Sequence, residues 1–290
     1  GRKIRRVLQN RGNEEVPAAS TITEILRRHE KLDLQRTIKH KTCQHFEYEQ
    51  PNELWQMDFK GYFALEKGVD CHPLTVIDDH SRFLVGLKAC PNQKGGTVQN
   101  QLTAIFEQYG LPDRMLMDNG SCWGVDQGRR YTTFSRWLIR LGIMILHGRP
   151  YHPQTQGKDE RLNRTLQDEL LSCCPMTTLE ESQERFDLWR YTYNYIRPHE
   201  ALQFDTPSTR YRPSLHQFPA ILPPISYEPG DAIYKVGRSG GITFHNRRFY
   251  IGKAFYNQPV AVRPTFKDGV YHVYFCLQRV AQIDLRKDNS

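Results

Sequence analysis

The sequence predicts an α/β protein with a mixed sheet, preceded by a short helical segment and followed by a small β-rich unit. Strand-like apolar runs come first, in LWQMDFKGYFAL and HPLTVIDDHSRFLVGLKA, and only later do helix and strand alternate, an order that suits an α/β layer. Pro198, Pro207, Pro213, Pro219, Pro223 and Pro224 then interrupt the chain. Beyond them lie short alternating runs, GITFHN, RFYIGKAF, PVAVRP and VYHVYFCLQ, with turns expected at Gly240, Gly252 and Asp268-Gly269.

Taken in order, residues 2–10 and 20–30 read as two helices, with Ile4, Val7 and Leu8 on one face of the first and Ile22, Ile25 and Leu26 on one face of the second. Gly12 and Pro17 break the chain between them, and Ser20 and Thr21 ahead of Glu24 offer N-cap chemistry. The pair fits half of a helix-turn-helix whose second helix is basic at Arg27 and Arg28, or an ordinary helical hairpin. Residues 36–51 read as a polar linker. In the first strand, side-chain alternation sends Trp55 and Met57 to one layer and Asp58 to the other. Asp79, His80 and Ser81 form a turn that Asp78 and Asp79 cap, with Asp79 paired to Arg82 or its backbone. TVQNQLTAIFEQYG places Val98, Leu102, Ile105 and Phe106 at helical spacing, and Arg114 to Met117 form a strand ending in Asp118. Helix FSRWLIRLG, strand IMILHG, loop RPYHPQTQG and a helix from Lys158 to Leu171 follow. A last helix over 179–195 is capped by Thr178 and Glu181 and buries Phe186, Trp189 and Tyr193 as core. The expected units are therefore 1–35, a linker over 36–51, a core over 52–200, a Pro-rich connector over 201–225 and a β unit over 226–290.

The 290 residues carry a net charge of +8, concentrated at the two ends: residues 1–41 and 226–287 are each +6, whereas residues 42–225 are −3. Basic arms around an acidic middle suit a polyanionic partner, although solvated basic faces give the same totals. The seven cysteines form no CxxC pair, which suits a reducing compartment. His40, Cys43 and His45 have no second pair at metal-ligand spacing, so no zinc is assigned. No apolar run approaches the roughly 18 residues needed to span a bilayer, and a cytoplasmic protein is expected.

Asp58, Asp118 and Glu160 are the candidate catalytic and metal-ligating residues. Carboxylate oxygens favour hard ions, and two Mg²⁺ or Mn²⁺ ions about 4 Å apart can activate an attacking oxygen while neutralising a leaving one. Asp58 and Asp118 end strands, where polar groups can converge at one sheet edge. On the later helix, Leu162, Leu166 and Leu170 are expected to pack inward, with Glu160, Asn163, Arg164 and Gln167 on the opposite face. Asp78, Asp79 and Asp159 are held in reserve. His152 has two open roles, contacting a phosphate or supporting its turn.

WQMDFKG, DNGSCWG, RPYHPQTQGKDERLNRT and YNYIRPHEAL resemble the catalytic core of retroviral integrases and bacterial insertion-sequence transposases, most closely the insertion sequence 481 type. The resemblance implies an RNase H-like mixed-sheet core, a partial helix-turn-helix before it and a small SH3-like β-barrel after it. It carries Asp58, Asp118 and Glu160 over as ligands of two Mg²⁺ or Mn²⁺ ions, with Asp58 shared between them. Arg164 falls where such enzymes place a basic residue on a DNA end; Arg149, His152, Gln154, Lys158, Arg247 and Arg248 are the further candidates for DNA contact, beside Arg27 and Arg28. Two departures stand out. The 41 residues between Asp118 and Glu160 exceed the usual spacing, with the surplus in the polar stretch 124–132, and the retroviral His/Cys zinc module is absent. The upstream half of the DNA-reading region is expected to be lacking.

The function implied is a DNA transposase that cuts the ends of its element, recognised as terminal inverted repeats, and joins the 3′-hydroxyl to target DNA. It would act as a homodimer or higher multimer, associated with the bacterial nucleoid and with no membrane. A nuclease of the same fold without a joining step, and a catalytically idle DNA-binding protein, are the alternatives.

Overall fold

A computed structural model describes residues 1–32, 47–117, 131–147 and 157–287. The N-terminal helices are α1 (Arg2–Asn10) and α2 (Ala19–Arg28). Next come β1 (Trp55–Phe59), β2 (Phe63–Ala64), β3 (Asp70–Asp78), β4 (Leu84–Cys90), α3 (Gly95–Tyr109), β5 (Arg114–Met117), α4 (Thr133–Arg140), β6 (Met144–His147), α5 (Gly157–Leu166) and α6 (Leu179–Tyr191). Both α5 and α6 run into a π-helical turn, at Gln167–Leu171 and Thr192–Ile196. The C-terminal strands are β7 (Ala232–Lys235), β8 (Gly241–Phe244), β9 (Arg247–Tyr250), β10 (Pro259–Pro264), β11 (Val270–Phe275) and β12 (Gln278–Asp284).

β1 to β6 form a mixed six-stranded sheet. β3 pairs antiparallel with β1, β2 and β4, whereas β5 lies parallel to β1 and β6 parallel to β5. Alternation along β1 and β3 divides two apolar layers. Trp55, Met57, Leu74 and Val76 pack with Val98, Leu102 and Phe106 of α3 and Leu138 of α4. On the opposite face Ile77, Leu84 and Leu87 pack with Leu162 and Leu166 of α5 and Phe186, Trp189 and Tyr193 from α6 onward. Helices thus cover both faces of the sheet, which is what lets strands carry continuous apolar runs. Thr178 caps α6 through the Glu181 amide, as its sequence predicts.

Two local expectations change and one holds. α2 begins at Ala19 with Ala18 as its cap residue, so Ser20 and Thr21 lie inside the first turn and do not cap it. The turn after β3 is closed by Asp78, whose carboxylate accepts from the Ser81 amide and hydroxyl and from the Asn52 amide. Arg82 reaches Glu47 at 2.9 Å, while Asp79 takes its hydrogen bonds from Gln56, the Tyr48 amide and Lys158.

The proline-rich connector is docked rather than extended. Tyr211 stacks on Phe83 with ring centroids 4.2 Å apart, Phe218 meets Phe106, and the backbone bonds Leu111 to His216 and Ser214 to Tyr109. Prolines lack amide donors, so these aromatics and the few free amides anchor the segment. Gly110 permits it: its φ is +77° and a Cβ there would lie 2.8 Å from the His216 carbonyl. The C-terminal strands form a four-stranded antiparallel sheet, β12–β11–β10–β7, and the hairpin β8–β9. They share the α3–α4 apolar layer: Tyr131 packs on Phe255, Arg136 donates to the Ala254 carbonyl, and the Ile145 amide donates to Gln278. None of the described helices is long and apolar enough to cross a membrane. The His40, Cys43 and His45 group lies outside the described residues.

His199, in the turn after α6, donates to the Tyr193 carbonyl at 3.1 Å and is pushed down to about 4 by burial, with Arg197, Lys3 and Arg161 adding to the effect. The unfolded chain accepts this proton near 6.5 and the folded one resists it, so stability is full above pH 6.5 and falls as pH drops toward 4. Urea titrations at pH 7 and pH 5 are expected to show a loss approaching about 1.4 kcal/mol per pH unit from this group, and His199→Gln is expected to flatten that slope.

Candidate active site

Asp58 stands near the end of β1, opposite Thr75 of β3, whose hydroxyl donates to the Asp58 carbonyl. One residue earlier, Met57 pairs in parallel register with Met117 of β5. Asp118 follows Met117 directly in sequence and itself lies outside the described residues, as do Arg149, His152 and Gln154.

α5 crosses the same face of the sheet as Asp58. Asn163 donates from Nδ2 to Asp58 Oδ2 at 2.9 Å, which ties the helix to the strand end. Asn163 is buried, not on the exposed face expected for it. Glu160, one turn earlier, is exposed, as is Arg164. Next to Glu160 in sequence but turned inward sits Asp159, only 4 % exposed, with an Oδ1 that has no hydrogen-bond partner among the described residues. Burial pushes the Asp159 carboxyl well above its ordinary range, and the nearby charges of Asp58, Asp79 and Glu160 push it the same way. A helix advances about 100° per residue, which puts Asp159 and Asn163 beside the Leu162–Leu166 stripe and Glu160 about 100° further round. The same arithmetic, centred on Leu166 rather than Leu162, finds both residues from sequence.

The other sequence-predicted DNA contacts fall into separate places. Lys158, expected on DNA, turns inward: its Nζ is 2.5 Å from Asp79 Oδ1 and 3.0 Å from the Asp79 carbonyl. Arg27 and Arg28 both pair with Glu24 on α2. Arg247 donates to the carbonyls of Leu285 and Lys287, and Arg248 to the Ser239 hydroxyl. Of the candidates on α5, Arg164 alone combines exposure with proximity to Glu160 in sequence.

This arrangement of strand-end aspartate and overlying acidic helix coincides with a family match. Residues 48–153 and 141–207 each match an integrase core domain, and residues 231–290 match the C-terminal domain of IS481 family transposases. The chain belongs to the integrase core family, with an IS481-type C-terminal domain. The mixed sheet between α3–α4 and α5–α6 lies within the two integrase-core matches.

Among its relatives, an IS407 insertion-element protein of Burkholderia multivorans is 29% identical over 160 residues, covering 54% of each chain. An IS476 insertion-element protein of Xanthomonas euvesicatoria is 29% identical over 153 residues, or 52% of this chain and 42% of its own. The chain thus spans about half the length of these relatives. The Gag-Pro-Pol polyprotein of Mason-Pfizer monkey virus is 32% identical over 119 residues, 40% of this chain and 6% of its own. Among solved structures, the HTLV-2 integrase catalytic core in complex with magnesium is 17% identical with a TM-score of 0.42, covering 57% of this chain and 99% of its own. A simian T-cell lymphotropic virus intasome bound to PP2A regulatory subunit B56 gamma is also 17% identical, with a TM-score of 0.47 over 91% of this chain and 92% of its own.

An unsatisfied buried acceptor costs stability, so replacing Asp159 by an apolar residue of similar size is expected to stabilise the fold. Asp159→Leu should raise the unfolding free energy in urea by about 1–3 kcal/mol; a loss of stability would mean that Oδ1 has a protein partner after all.

Proposed function

We propose that this chain is the catalytic part of a DNA transposase that cleaves the ends of its own element and joins them to target DNA. The observation that carries the reading is the hydrogen bond from Asn163 to Asp58, which fixes the helix bearing Glu160 on the strand-end carboxylate. An acidic site beside Asp159 Oδ1, which is buried and has no partner among the described residues, suits a hard divalent cation such as Mg²⁺ or Mn²⁺. Asp58, Asp118 and Glu160 would hold two such ions.

When bound, the ions supply charge neutralisation at the phosphate undergoing substitution. The remaining work falls to the chain's own side chains. Asn163 holds Oδ2 of Asp58 and so presents that carboxylate to the site in one orientation. The exposed Arg164, one turn beyond Glu160, meets a phosphate of the DNA end. No side chain acts as a nucleophile: water attacks in the cutting step and the freed 3′-hydroxyl in the joining step, and holding these reactants in line supplies much of the rate. The excess of positive charge at the two ends of the chain supports double-stranded DNA as the partner, drawn in by release of counterions. Two DNA ends call for a homodimer or higher assembly.

Duplex oligonucleotides carrying the element's own ends, incubated with the protein and Mn²⁺, are expected to be cut and joined. Asp58→Asn and Glu160→Gln should each lower both steps by at least about 10³-fold, while leaving fluorescence-anisotropy binding of the same DNA unchanged. Undiminished joining by either variant overturns the assignment, and cutting without joining by the wild type reduces it to a nuclease.

A further inference from the structure

The buried cation on α5 has no part in the chemistry described so far. Lys158 is the second residue of the helix, where the positive end of the helix dipole disfavours a cation, so its charge is not there to stabilise α5. Its side chain is 11 % exposed and that of Asp79 2 %, and the two meet at 2.5 Å across 79 residues of sequence. The Lys158 ammonium also donates to the Asp79 carbonyl. The Asp79 carboxylate is shared further. Gln56 donates to the same oxygen at 2.6 Å, and the Tyr48 amide donates to the other at 2.9 Å.

Gln56 and Asp58 are two apart on β1 and therefore point to the same side of the sheet. α5 thus has two polar anchors on that strand: Lys158, through Asp79 and Gln56, and Asn163, directly on Asp58. Glu160 lies between them along the helix. A buried ion pair adds little net stability compared with apolar packing, but it fixes one geometry because each charge tolerates few alternatives. We infer that Lys158 and Asp79 form a positioning clamp that sets the rotation and depth of the first turn of α5, and through it the place of Glu160 relative to Asp58. This rests on the proposed function for its catalytic consequence, though not for its structural one.

The test compares Lys158→Met, Asp79→Asn, the double variant and Lys158→Arg. Each of the first two leaves a buried charge or donor alone and is expected to lower the melting temperature; removing both charges together should restore it. If the pair served stability alone, joining would recover with it. The clamp expects otherwise: the double variant should remain on the order of 10- to 100-fold slower in turnover with an unchanged KM for DNA, because misplacement of a catalytic group costs rate rather than binding. Lys158→Arg should recover part of the rate. Amide hydrogen exchange over residues 158–166 should be faster in the double variant than in the wild type. Full turnover in the double variant, or wild-type exchange in α5, overturns the clamp. If the wild type joins no element ends, the transposase reading fails, and the exchange measurement still decides the clamp by itself.

Discussion

The contact between Asn163 and Asp58 is the hinge of this structure, because it joins the strand and the helix that carry Asp58 and Glu160, two of the proposed metal ligands. β1 is held centrally, antiparallel to β3 on one edge and parallel to β5 on the other, so Asp58 has a fixed backbone. α5 is held by Leu162 and Leu166 in the apolar layer it shares with α6. The amide then specifies how the helix sits on the strand end. A rigid sheet supplies the reference frame, and polar contacts of α5 set the registration.

Acid buried in this part of the sheet carries a cost. Asp78, Asp79 and Asp159 are all buried, and burial raises the pKa of each. The protein offsets the first two by different means. Asp78 is satisfied by turn amides and the Ser81 hydroxyl, and Asp79 by Lys158, Gln56 and the Tyr48 amide. Asp159 keeps an oxygen without a donor among the described residues. Unsatisfied buried groups of this kind gather where function opposes stability, and here the strain falls beside the acids proposed to bind metal. Lys158 belongs to the same network: a residue that looks like a DNA contact in sequence is occupied by the acid beneath it.

Much of this was legible in sequence because it follows from periodicity. Alternation along LWQMDF separates Trp55 and Met57 from Asp58, and the 3.6-residue repeat places Leu162, Leu166 and Leu170 inward and Phe186, Trp189 and Tyr193 in the core. What periodicity leaves out is partner choice over distance. Asp79 has Arg82 three residues away, yet the fold delivers Lys158 to it, since only the packing of α5 on the sheet brings those charges together. The connector shows the same limit. Its prolines signal irregular backbone correctly, but nothing local reveals that Tyr211 and Phe218 fold it back onto Phe83 and Phe106. On α5 the helical repeat sets Asp159 and Asn163 beside Leu166, and it is their burial, through packing on the sheet, that local sequence does not reveal.

Crystals soaked with Mn²⁺ and measured at the manganese absorption edge would address the central claim directly, since anomalous scattering locates the ion without reference to activity. The account expects a peak roughly 2.0–2.2 Å from carboxylate oxygens of both Asp58 and Glu160, the distance small hard divalent ions keep. A saturated crystal with manganese elsewhere, or with Asp58 alone in contact, would contradict it.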